Sequence, residues 1–260
     1  MFPEVHSALR LDQRSDGSSA LVAIEEEEDQ LGAFLVHHFL VTSIKNRRKV
    51  VFIGLEQSLG HYSAVALKNG INLHKFRDTG QLVFIEGLKN YADAYLGDAG
   101  DGFDFIAKPR DRQVLKQLYK RVEQEVNRLN TAASACASTT VIVDKLSVLL
   151  SLGVPSNDVV IFARYLQSMV QKSQGCEVVL LTRRDPDDVD EALNSVSAYL
   201  ARSSDLVVRC WPLCSGKSSS VTGNLCFEWS DGACETGRFQ FRLEEKTVRV
   251  FALGASRDVL

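Results

Sequence analysis

Short continuous apolar runs alternate along this chain with longer stretches in which apolar residues recur at helical spacing. The runs are "ALVAI" (Ala20–Ile24), "KVVFIGL" (Lys49–Leu55), "QLVFIEGL" (Gln81–Leu88), "TTVIVD" (Thr139–Asp144) and "EVVLLT" (Glu177–Thr182). The helical stretches are Gly32–Ile44, Gly60–Gly70, Pro109–Asn130, Ser156–Lys172 and "PDDVDEALNSVSAYLA" (Pro186–Ala201). The clearest is Pro109–Asn130, where Leu115, Leu118, Val122, Val126 and Leu129 share one face and Pro109 suits the first turn. Gly70 and Gly175 read as helix stops, and Ser156 as a helix cap. Strands apolar on both faces and separated by helices predict a parallel sheet covered on both sides.

After Ser204 the pattern changes. "DLVVRCW", "NLCFEW", "FQFRL" and "TVRVFAL" are strands with no helix between them, and "EEK" joins the last two as a hairpin. The chain reads as one α/β domain over 1–260. It has a parallel core at about 18–204 and an antiparallel extension of the same sheet at about 205–253.

Composition adds limits. The 260 residues are 45% hydrophobic and 24% charged, ordinary values for a globular chain with a sizeable core. A net charge of −3 excludes a general polyanion binder, so nucleic acid must meet a local basic patch. "MFPEVHSALRLDQR" lacks an apolar leader core, and no run approaches a membrane span. Cys136, Cys176, Cys210, Cys214, Cys226 and Cys234 lack zinc-knuckle spacing and read as reduced, mostly buried thiols.

Asp144 ends an apolar strand, where a P-loop ATPase holds Mg²⁺. Glu56 ends another, in a frame that follows a RecA-type second strand: "VVFIGLEQSLGHYSAVALKNGINL". The phosphate loop that would join them is missing. The first strand runs into "EEEEDQLGAF" rather than GxxxxGK, so Glu25, Glu26, Glu27, Glu28 and Asp29 stand where phosphate would sit. "CSGKSSS" (Cys214–Ser220) lies between antiparallel strands and reads as a hairpin loop. The expectation is a RecA-like three-layer fold without a phosphate-binding loop. It has no catalytic, nucleotide-binding or metal residue and no cofactor. Glu56 is then an exposed strand-end carboxylate, Asp144 caps a turn or pairs with a cation, and the acidic run is a solvated loop.

Basic clusters are the remaining candidates. Lys45, Arg47, Arg48 and Lys49 form one; Lys108, Arg110, Arg112, Lys116, Lys120 and Arg121 form another. Arg183 and Arg184 follow the fifth strand, where α/β sheets meet ligands, and are the best candidates for a nucleic-acid phosphate. Asp185, Asp187 and Asp188 could neutralise them. Adjacent His37 and His38 point about 100° apart on a helix, which suits core or interface packing better than metal ligation.

"GAFLVHHFL", "SLGHYSAVALKNGINL", "GQLVFIEGLK" and "DKLSVLLSLGV" closely resemble the Elongator complex protein 6 family, as do "MFPEV", the chain length and "DVL" at the end. The resemblance covers essentially the whole chain. It implies a non-catalytic RecA-like subunit that forms a hetero-hexameric ring with Elongator complex proteins 4 and 5. The ring binds tRNA, with ATP hydrolysis only in the assembly. It docks on the catalytic subcomplex of Elongator complex proteins 1, 2 and 3, which modifies the wobble uridine of tRNA. The implied location is cytoplasm, with the nucleus as a second site, and no membrane. The family transfers no residue role; Arg183 and Arg184 rest on charge and position alone. The residues by themselves leave two other readings open, a degenerate stand-alone ATPase and a DNA recombination mediator.

Overall fold

The computed structural model describes residues 2–13, 18–87, 89, 96, 114–131, 138–214, 216, 218, 220–230 and 236–253. The expected helix start at Pro109, Lys108, Arg110, Arg112, Cys136, Cys234 and the "DVL" end lie outside these residues. The helices are α1 (Pro3–Ala8), α2 (Ala33–Lys45), α3 (Leu59–Lys68), α4 (Leu73–Asp78), α5 (Val114–Thr131), α6 (Ser156–Lys172) and α7 (Glu191–Ser203), with a single turn at Val148–Ser151. The strands are β1 (Ala20–Glu26), β2 (Lys49–Ile53), β3 (Leu82–Ile85), β4 (Thr139–Val143), β5 (Cys176–Arg183), β6 (Leu206–Trp211), β7 (Gly223–Trp229), β8 (Gly237–Leu243) and β9 (Val248–Ala252).

They form one sheet in the order β3-β2-β4-β5-β1-β6-β7-β8-β9. Alternate residues of each central strand feed two cores. Val22 and Ile24 pack towards α1–α4, whereas Leu21 and Ala23 pack towards α5–α7. That burial on both faces is why the central runs are unbroken apolar sequence. The first six strands in this order are parallel, and β7, β8 and β9 add antiparallel. The parallel part therefore extends one strand beyond the expected boundary at about 205. β6 follows α7, returns by a crossover and pairs parallel to β1, with Val22 opposite Leu206 and Glu26 opposite Cys210.

Local chemistry explains the other departures. Asp185 accepts the backbone N–H groups of Asp187, Val189 and Asp190, which closes a turn. The expected helix from Pro186 therefore starts only at Glu191, with Asp190 accepting from the Leu193 N–H as cap. Ser156 is the first helical residue, preceded by Pro155, and does not cap. The "INLHKFRD" return to the sheet contains α4, capped by Asn72.

Candidate functional site

The carboxyl ends of β1, β2, β4 and β5 meet at one cluster of charge. Asp144 stands just past β4 and is buried. Its Oδ1 accepts the N–H groups of Leu55 (2.7 Å) and Glu56 (3.2 Å). Its Oδ2 accepts those of Glu56 (3.1 Å) and Gln57 (3.1 Å), and the Tyr62 hydroxyl (3.0 Å). Both oxygens are thus committed to the β2–α3 loop, so the turn-capping expectation holds and little lone-pair capacity remains for a metal. Burial pushes the Asp144 carboxyl up to about 6, although the three amides and Tyr62 pull it down. Gly54 admits the loop, because a Cβ there would lie 2.5 Å from the Phe84 ring.

That loop delivers Glu56 to Lys145, a residue that no spacing or motif singles out. The Lys145 ammonium is buried and touches three carboxylates from three segments. Asp29 Oδ1 lies at 2.8 Å, Glu26 Oε1 at 2.9 Å and Glu56 Oε1 at 2.9 Å. Burial lowers the pKa of this ammonium, but the bonds from Asp29, Glu56 and Glu26 more than offset it, so Lys145 stays charged. Glu26 shifts upward because it is buried, against the pull of the Gly32 N–H and Lys145. Asp29 shifts downward through its hydrogen bond to Lys145. A cleft of about 410 Å³ opens beside the cluster, lined among others by Asp29, Glu56, Lys145, Ser147, Arg183 and Asp190.

The acidic run is consequently not a solvated loop throughout. β1 continues through Glu25 and Glu26, and both are buried. Glu25 accepts from Arg209 (2.8 Å) and from the Ser197 hydroxyl (2.6 Å). Glu26 Oε2 accepts the Gly32 N–H at the start of α2 (2.8 Å). Glu56, expected to be exposed, keeps only 22% of its side-chain surface. In each case a cation or amide from a distant segment compensates the desolvated carboxylate.

Arg183 ends β5 and Arg184 follows it, with side chains 48% and 41% exposed. Their ion pairs are with Asp29 at 3.9 Å and Glu27 at 3.8 Å, so the acidic run faces this pair, and Asp185 is also near enough for the Arg183 charge to lower its pKa. The Lys45–Lys49 cluster lies at the opposite end of the sheet, before β2. Its Arg48 is buried, bonded to Thr140 Oγ1 and to the carbonyls of Thr139 and Gly175. Lys116 and Lys120 are exposed on α5. His37 faces His61 and Tyr62, whereas His38 accepts the Phe2 N–H and faces His6. Among the described residues Cys176 and Cys210 are buried, Cys226 is half-buried and Cys214 is exposed, all as free thiols. No group of three His, Cys, Asp or Glu residues suited to a metal occurs among them. No described helix is long and apolar enough to cross a membrane.

A model of the family described as Elongation complex protein 6 matches residues 2–245. Elongator complex protein 6 of Xenopus laevis is 34% identical, that of Rattus norvegicus 32% and that of Homo sapiens 31%, each over 100% of both chains. Among solved structures, a KaiC-like protein of Pyrococcus horikoshii OT3 superposes with a TM-score of 0.61. It covers 89% of each chain at 10% identity, and that likeness shows the fold, which is RecA-like.

Proposed function

The chain belongs to the Elongator complex protein 6 family, and on that premise we propose that it is a non-catalytic, structural and regulatory subunit of Elongator. In this reading it joins Elongator complex proteins 4 and 5 in a hetero-hexameric RecA-like ring. The ring binds tRNA, docks on the catalytic subcomplex of proteins 1, 2 and 3, and supports wobble-uridine modification in the cytoplasm or nucleus. Arg183 and Arg184 reach tRNA phosphate from the strand ends.

One observation carries the non-catalytic part. Lys145 stands as a tethered cation among Glu26, Asp29 and Glu56 at the carboxyl ends of the strands, the end at which α/β sheets meet their ligands. The carboxylates that would repel a triphosphate already have their counterion, and Asp144 is spent on the β2–α3 loop. The test is ATP turnover by the purified chain. We expect none above background, and turnover that disappears in Asp144→Asn would overturn the reading.

A further inference from the structure

The antiparallel extension has two unlike faces. Leu225, Phe227 and Trp229 of β7, Phe241 of β8 and Val248 of β9 point into the core beside α1 and α2. The strand register puts their neighbours on the other side. Arg209, Cys226 and Arg238 form one cross-strand row, and Trp211, Asn224, Gln240 and Phe251 form the next. Arg242 and Arg249 are directly opposed in a third row. Arg238, Arg242 and Arg249 are exposed, and the other members of these rows are half-buried.

The charges on this face are unevenly spent. Arg209 is held by Glu25 at 2.8 Å and Glu228 at 3.5 Å. Arg249 turns over the sheet edge to Glu4 at 2.7 Å, and Glu4 also accepts the Val250 N–H. That contact ties α1 to the edge of β9, and among the described residues no element packs over the broad face. Arg238 and Arg242 form no ion pair with the described residues. Between β1 and β7 the face opens into a cleft of about 590 Å³, lined among others by Glu25, Glu27, Arg184, Asp188, Arg209 and Arg238.

Those six charges are three of each sign, so beyond the single phosphate proposed for Arg184 at its rim the cleft offers a polyanion no net attraction. A protein surface with both signs can match this pattern. The cations here are arginines, whose planar fork takes a carboxylate in a bidentate contact. Arginine beside tryptophan is also the composition of the energetic centre of protein interfaces. We propose that the open face of β6–β9 docks a protein partner. That partner presents carboxylates to Arg238 and Arg242 and an apolar side chain against Trp211 and Phe251. The proposal rests on the ring reading, in which the partner is a neighbouring subunit.

The experiment is co-assembly of the full chain with Elongator complex proteins 4 and 5, read by mass-resolved chromatography and hydroxyl-radical footprinting. Trp211 and Phe251 should lose reactivity on assembly. Arg238→Glu with Arg242→Glu should weaken assembly by about tenfold or more, and the glutamine pair should weaken it less. Unchanged circular dichroism of both variants shows that folding is intact. If the wild-type chain fails to assemble, the ring reading falls and takes this proposal with it. If the charge-reversed chain assembles as well as wild type, only this proposal falls. Binding of single-stranded RNA by the isolated chain that the reversal abolishes would also overturn it, by making the face a nucleic-acid surface.

Discussion

At the scale of single residues, Lys145 decides what the strand ends can do. Its three partners come from β1, the β1–α2 turn and the β2–α3 loop. Removing the ammonium leaves Glu26 buried beside two other carboxylates. Breaking one side of such a buried pair costs about 3–5 kcal/mol. Lys145→Met should therefore lower the unfolding free energy by about that amount in a urea titration, and adding Glu26→Gln should recover part of it. Equal stability of Lys145→Met and wild type would show that the carboxylates have another counterion. The sequence made half of this site readable. A Glu-rich run in place of GxxxxGK announced the acidic half, and the strand-end position of Asp144 announced a cap. Lys145 could not be read, because a lone lysine after an aspartate carries no spacing signal and its partners converge only in the folded chain. Arg48 fails in the opposite way: its sequence context suggests a basic surface patch, while the fold buries it on two carbonyls and Thr140.

At the scale of elements, α2 shows how pattern and burial combine. His37 and His38 sit on a helix buried on nearly every side, and the angle between them sends one to α3 and the other to α1. Burial, with His61 nearby, lowers His37 from 6.5 to about 4; burial, with His6 nearby, lowers His38 to about 3. Both are bases held neutral in the folded chain and protonated more readily in the unfolded one. Their stabilising contribution is present above about pH 6.5 and is lost as the pH falls towards 4 and 3, on the order of a few kcal/mol in all. Asp144 acts in the other direction. Its folded pKa is raised from 3.8 to about 6, so its contribution is present below 3.8 and is lost as the pH rises through 6. A His38→Gln variant separates the two: its denaturation midpoint should fall less than that of wild type between pH 6.5 and 4. Parallel curves would mean that His38 is already charged in the folded chain. The central strands and long helices were legible because an apolar period of two faces or of 3.6 residues survives any tertiary context. The start of α7 and the short α4 were not, since side-chain captures by Asp185 and Asn72 set them. The direction of β6 was also hidden. A strand parallel to β1 on one side and antiparallel to β7 on the other has no distinguishing sequence.

At the scale of the whole molecule, the family match over residues 2–245 agrees with the resemblance in "GAFLVHHFL" and "DKLSVLLSLGV", and the superposition agrees with the expected RecA-like fold. Ile161 and Tyr165 on α6, Leu67 on α3 and Leu243 on β8 are large apolar side chains left exposed. If the proposed ring buries these groups, the chain should self-associate or aggregate alone and form a discrete six-subunit species when mixed with Elongator complex proteins 4 and 5. A stable monomer that ignores both partners would refute this. The assembled ring then allows the test of Arg183 and Arg184. Each lies within 4 Å of a carboxylate, but neither is buried, and exposed pairs at that distance hold an arginine weakly. Phosphate can therefore displace Asp29 and Glu27 at small cost. Losing both guanidiniums should weaken tRNA binding and flatten its salt dependence by about one unit of log–log slope per lost contact. The loss should be the same for unrelated tRNA sequences, because phosphates carry no base identity. The measurement is a salt titration of tRNA affinity for rings carrying Arg183→Ala and Arg184→Ala, after the size of the ring has been verified. If affinity and slope match the unmutated ring, the acidic run has already neutralised this pair. The tRNA then meets other cations, such as Lys45, Arg47 and Lys49 at the opposite end of the sheet, or the other two subunits.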